Sequence, residues 1–124
     1  MVDETRRQRL AARARILKAL AHPSRLLVVE ELARGERCVR DLASLVGADL
    51  STVSRHLSVL REAGIVHGRK RGLQILYALR IPCALDFLAC AERVLASVAE
   101  ETARLARPAR EGAAASERSA DELG

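Results

Sequence analysis

Two compact helical segments on either side of Gly47-Ala48-Asp49, an alternating segment that turns at Arg71-Gly72, and long helical stretches at both ends predict a mainly α chain with a small β-hairpin. With 124 residues the chain is long enough for one compact domain, taken as residues 1–107, and too short for a roomy substrate domain beside it. Tyr77 and Phe87 are the only aromatic residues, so the core must come from Leu, Val, Ile and Ala. So small a core buries little apolar area by itself. Pairing with an identical copy would hide more, and a homodimer is expected.

The first helix is expected over residues 3–21, where Leu10, Ala14, Leu17 and Ala21 share a face and Asp3 and Glu4 favour the start. His22-Pro23-Ser24 breaks it, and Leu26, Leu27, Val29 and Leu32 mark a second helix that ends near Gly35. A third covers about residues 38–46 and stops at Gly47. Asp49 or Ser51 then caps a fourth, with Val53, Leu57 and Leu60 three or four residues apart. Ile65 and Val66 lead into Gly68-Arg69-Lys70-Arg71-Gly72, after which Leu73, Ile75, Tyr77 and Leu79 alternate with Gln74, Leu76 and Ala78, as in the second strand of a hairpin. Its second face is apolar as well, so one side should pack on helices. Pro82 suits the first turn of a last long helix, striped by Leu85, Leu88, Leu95, Val98 and Leu105. Residues 108–124 lack an apolar face and are expected to form a disordered tail.

The formal charge is +5, and its placement says more than its size. Residues 51–80 hold six Lys or Arg against Glu62 alone, and elsewhere the two signs balance at fifteen each. A local anion-binding surface fits that distribution. In the fourth helix Ser51, Thr52, Ser54, Arg55 and His56 form a polar surface opposite Val53, Leu57 and Leu60. Short hydroxyls approach phosphates and base edges without filling the major groove, and Arg55 can make paired bonds to guanine or anchor a phosphate. His56 either contacts DNA or packs within the domain. Arg69, Lys70 and Arg71 at the hairpin attract the backbone of double-stranded DNA. Together these make a winged helix-turn-helix with long N- and C-terminal dimerisation helices, whose two-fold pair matches a palindromic operator.

No apolar run is long enough to cross a bilayer, and the Arg-rich start lacks the apolar centre of a secretory signal, so a cytoplasmic protein with no membrane partner is expected. His22, His56 and His67 are scattered, and no Cys-His-acid constellation emerges, so catalysis is not expected.

Over residues 10–106 the chain closely resembles the arsenical-resistance repressor family (ArsR/SmtB). The resemblance rests on Ala19-Leu20-Ala21-His22-Pro23-Ser24-Arg25-Leu26, on Cys38-Val39-Arg40-Asp41-Leu42, on Ser51 through Gly64 with its core Ser54-Arg55-His56-Leu57, and on Arg69-Lys70-Arg71-Gly72. It implies a dimeric winged-helix repressor that leaves its operator when an inducer binds. It also implies a ligand at Cys38, which matches the cysteine of the family's third-helix sensor segment. The usual arsenic cluster is incomplete here, because Arg40 stands where that segment carries a second thiol and Ala43 occupies a further frequent cysteine position.

Cys83 and Cys90 lie where other family sensors place inducer ligands. On a straight helix their Cα atoms are roughly 10 Å apart along the axis, which is not a tight chelate. A site joining either or both to Cys38 would link the DNA-reading core to the dimer helices. Thiolates select soft cations. Hg(II) leads, with As(III), Cd(II), Pb(II) and Zn(II) as alternatives, and the chain is similar to the mercury-responsive family members of high-GC actinobacteria. Two other readings stay open. Cys83 and Cys90 pack as small apolar residues beside Phe87 and Val94, or the thiols form a redox switch without metal.

Overall fold

The computed structural model describes the backbone of residues 1–111 and the side chains of residues 1–106. It divides into two compact units, Met1–Asp86 and the segment from Phe87 onward. Helix α1, Glu4–Leu20, starts where the Asp3 carboxylate accepts the Arg6 N–H at 2.8 Å. Helix α2, Pro23–Leu32, has Pro23 at its first position, where a missing N–H costs nothing. His22 caps it, with Nδ1 accepting the Ser24 N–H at 3.1 Å. Helix α3, Val39–Val46, ends at Gly47, whose φ of 77° lies in the left-handed region that a side chain disfavours. Helix α4, Leu50–Glu62, follows after two residues and is capped by Asp49, whose Oδ1 accepts the Thr52 N–H at 2.7 Å. The expected pair of helices on a tight turn is therefore α3 and α4.

The sheet has one strand more than expected. Strands β1 (Arg37–Cys38), β2 (Val66–Arg71) and β3 (Gln74–Leu79) are antiparallel in the order β1-β3-β2. Cys38 pairs with Leu76, and Arg69 pairs with Leu76 from the other side. β3 is thus the central strand and packs on α2 and α3, which accounts for the apolar residues on both of its faces. Gly68 lies opposite Tyr77, and a Cβ at Gly68 would stand 2.9 Å from Ile75 Cγ2 and 3.1 Å from Tyr77 Cε1. Only glycine lets the buried Tyr77 ring cross the neighbouring strand so closely.

Val28, Val29, Leu42, Val53, Leu57, Leu60 and Ile65 are completely buried and join α2, α3, α4 and the start of the hairpin into one core. Burying one such leucine or valine contributes about 1.5–3 kcal/mol, so this cluster fixes the orientation of α4. Helix α5, Ala84–Glu111, begins two residues after Pro82 rather than at it. The chain enters it through successive tight bonds, Ala84 N–H to Ile81 O, Leu85 N–H to Pro82 O and Asp86 N–H to Cys83 O. Phe87, Val94, Leu95, Val98 and Leu105 are exposed along α5, as are Leu10 and Leu17 on α1. The tail expected from residue 108 lies, from residue 112 on, outside the described residues.

Candidate nucleic-acid interface

Helix α4 has the two faces its sequence implied. Val53, Leu57 and Leu60 are fully buried, while Ser51, Ser54 and Arg55 are exposed. Asp49 holds the first turn through Thr52 N–H and through the Ser51 hydroxyl at 3.1 Å. Hydrogen bonds from Thr52 and Ser51, with a weaker pull from the Arg55 charge, keep the Asp49 carboxyl below its usual range. Thr52 is half-buried.

His56 is half-buried with its ring centroid 4.5 Å from that of His22. Burial, followed by the charges of His22, Arg25 and Arg55, holds it below the ordinary histidine value. His56 thus stands beside the residue that caps α2. Nothing in the sequence spacing connected these rings, which are 34 positions apart.

The hairpin turns at Gly72-Leu73, so Arg69, Lys70 and Arg71 occupy β2 rather than the tip itself, where the Leu73 side chain is wholly exposed. Lys70 and Arg71 are exposed. Arg69 instead donates Nε and Nη2 to the two Glu36 oxygens at 2.7 and 2.8 Å, a planar pair that ties β2 to the residue before β1. Arg69 hydrogen bonding first, then the charges of Arg69, His67 and Arg71, lowers the Glu36 carboxyl, and the same pair raises Arg69. Glu36 is a residue sequence reasoning missed, because the short strand that aligns it carries no periodic signal.

The N-terminal half of α4 and the hairpin tip border one hollow of about 310 Å³. Leu50 and Ser54 face it from α4, Leu73 and Ile75 from the hairpin, and Cys38 and Arg40 from the start of α3. The helix and the wing are therefore adjacent parts of one surface.

The three thiols are free. Cys38 is buried, in β1 and at the cap of α3, whereas Cys83 is exposed in the turn before α5 and Cys90 is exposed on α5 itself. Among the described residues no three His, Cys, Asp or Glu side chains are grouped to hold a metal ion.

Residues 22–67 match the sequence pattern of the bacterial regulatory proteins of the arsR family. An uncharacterised HTH-type transcriptional regulator of Mycobacterium tuberculosis is 36% identical over 104 residues, which is 83% of this chain and 91% of that relative. The chain belongs to the arsR family. Solved structures agree with this arsR-family assignment. The homodimeric winged helix-turn-helix DNA-binding domain from Mycobacterium bovis, described as a possible ArsR-family regulator, superposes with a TM-score of 0.70 at 30% identity, over 81% of this chain and 93% of that one. The transcriptional repressor BigR from Xylella fastidiosa gives 0.62 at 36% identity, over 76% and 96%. The arsR-family chain is thus a winged-helix transcriptional regulator that acts through DNA, not an enzyme. No helix among the described residues is long and apolar enough to cross a membrane.

Proposed function

We propose that the chain is a homodimeric repressor that reads a two-fold operator with Ser51, Thr52, Ser54 and Arg55 of α4 and gains affinity from Arg69, Lys70 and Arg71, His56 supporting the helix from behind. The observation that carries this reading is the hollow bordered jointly by Leu50 and Ser54 of α4 and by Leu73 and Ile75 of the wing, which makes the two DNA-facing parts neighbours. Exposed leucines and valines on α1 and α5 supply an apolar surface for the second subunit, and the similar M. bovis domain is homodimeric. Competition titrations over operator variants test the division of labour. Arg55→Ala should lose about 1–3 kcal/mol of discrimination at one base pair, whereas Lys70→Ala should weaken all sequences alike and flatten the salt dependence. Equal loss of specificity from both would refute it.

Operator release, in the same proposal, is triggered at the thiols. Cys38 borders the hollow between α4 and the wing, so a ligand bonded there acts where the DNA-reading parts meet. Thiolates select soft cations, and the ligand of this proposal is Hg(II) on at least two of Cys38, Cys83 and Cys90, with As(III), Cd(II), Pb(II) and Zn(II) as alternatives. The ligand must bind the low-affinity form more tightly than the DNA-bound form for release to follow. Anaerobic titration of reduced wild type and of Cys38→Ser, Cys83→Ser and Cys90→Ser with each ion, alongside operator release, decides it. Normal Hg(II) affinity and release in all three variants would end the sensor assignment, and loss of DNA binding on oxidation of metal-free protein would favour the redox reading.

A further inference from the structure

The contact between His22 and His56 places two imidazoles, the side chains that titrate nearest neutral pH, where α4 is seated on α2. His56 stands in the chain between the exposed Arg55 and the fully buried Leu57, and its ring centroid is 4.5 Å from that of His22. His22 Nδ1 accepts the Ser24 N–H, which leaves Nε2 to carry the ring proton. A second proton, on Nδ1, would turn that acceptor into a donor, break the cap and put positive charge at the positive end of α2. A proton on His56 is no better placed. The groups whose charge bears on it are His22 and Arg25 on the α2 side and Arg55 on α4, with no carboxylate among them. The elements packed against α4 are α1, α2, α3 and β2. Their acidic residues are Glu4, Glu30, Glu31 and Asp41, β2 has none, and α4 itself ends on Asp49 and Glu62; none of these charges is felt at His56. Arg25 Nε is itself buried without an acceptor, so no negative group in this junction stands ready to compensate a proton.

We propose that the His22–His56 contact is a proton-operated switch of operator binding: the rings stay packed only while both are neutral, and protonation loosens α4 from its seat on α2 and lowers affinity for the operator. Burial, followed by the charges of His22, Arg25 and Arg55, holds His56 below its ordinary value, which sets the transition on the acid side of 6.5. The switch rests on the operator reading above, and it uses neither the thiols nor a direct contact of His56 with DNA. Coupling requires that the proton bind the free protein more tightly than the operator complex, in which α4 stays seated. Each unit of difference in proton affinity between those two states amounts to about tenfold in operator affinity.

The test measures fluorescence anisotropy of the reduced, metal-free full chain with the duplex it selects from a random pool at neutral pH, and with a duplex of scrambled sequence, from about pH 7.5 to about pH 5.5 at constant ionic strength. Acid adds positive charge to the whole protein and strengthens binding to any duplex, so the switch shows as a fall in the ratio of the two affinities, by about tenfold or more in wild type. His56→Gln should remove the fall. His22→Asn keeps a capping side chain and has no ring to protonate, so it should bind as wild type does at neutral pH and show a smaller fall in acid. In NMR spectra the His56 ring signals should titrate in the free chain and keep their neutral positions in the complex over the same range. No fall in wild type, an equal fall in His56→Gln, or loss of helical circular dichroism across the range would overturn the switch and leave operator binding at neutral pH standing. An unchanged fall in His22→Asn would also overturn it, which keeps the test decisive if His56→Gln fails to fold. A wild type that prefers no duplex at any pH would overturn the operator reading and the switch together.

Discussion

Replacing Glu36 by Gln should tighten DNA binding and steepen its salt dependence. In the free protein both Glu36 oxygens are held by Arg69 at 2.7 and 2.8 Å, so one of the three wing cations is already neutralised. The side chains of this pair are 50% and 36% exposed, so Arg69 lies at the surface but is held on Glu36. Glu36→Gln keeps the size of the side chain and removes its charge, so an Arg69 that stays on Glu36 in the wild-type complex is released to contact a phosphate. One additional phosphate contact changes the salt slope by about 0.9, which amounts to about 3.5-fold in relative affinity between roughly 50 and 200 mM salt. Fluorescence anisotropy with one labelled operator duplex across that range measures it. The variant should gain most at low salt and converge on wild type at high salt. Weaker binding with an unchanged slope would refute the reasoning and make Glu36 a positioning residue for the wing instead.

Gly68→Ala forces the Ile75 and Tyr77 side chains away from a new Cβ and should destabilise the fold by about 1–3 kcal/mol, read from the urea midpoint. Asp49→Ala should lower that midpoint at neutral pH and Asp49→Asn much less, because asparagine also caps. Because the folded Asp49 carboxyl is lowered, its contribution is complete above the ordinary aspartate range and fades as pH falls through the folded value, so the gap between Asp49→Ala and wild type should narrow in acid. His56 has the same sign: burial depresses it below 6.5, so the unfolded chain takes up the proton first and stability drops as pH falls from 6.5 towards the folded value. Urea melts above and below that window should show a smaller acid loss in His56→Gln than in wild type, and equal losses would reject the assignment.

The helix pair was legible because its signals are local. Gly47 ends one helix, Asp49 starts the next, and Val53, Leu57 and Leu60 mark a buried stripe that the structure closes completely. What stayed hidden depends on partners distant in sequence. Two residues, Arg37 and Cys38, are too few to show an alternation, yet as β1 they align Glu36 with Arg69, 33 positions away. His56 could be placed on α4 but not beside His22, since only the packing of α2 against α4 brings the rings together. Cys83 was expected to share a helix with Cys90, and it stands instead in the tight turn ahead of α5, because the Ile81–Asp86 bonds wind the chain before the regular helix begins. The hollow bordered by Ala12 and Ile16 of α1, Arg25 of α2 and Val59 of α4 has no sequence signature at all, because its lining comes from three helices at spacings set by the fold.

In the order β1-β3-β2, one side of β2 has no neighbouring strand among the described residues. A six-residue strand with an open edge is a template for another chain to extend the sheet and start aggregation. Here that edge carries Lys70 and Arg71 beside the Glu36-paired Arg69, and a like-charged strand from a second molecule would be repelled at that end. The cations proposed to attract DNA therefore also keep the sheet from growing, and a wing stripped of them would forfeit solubility along with the affinity proposed for it.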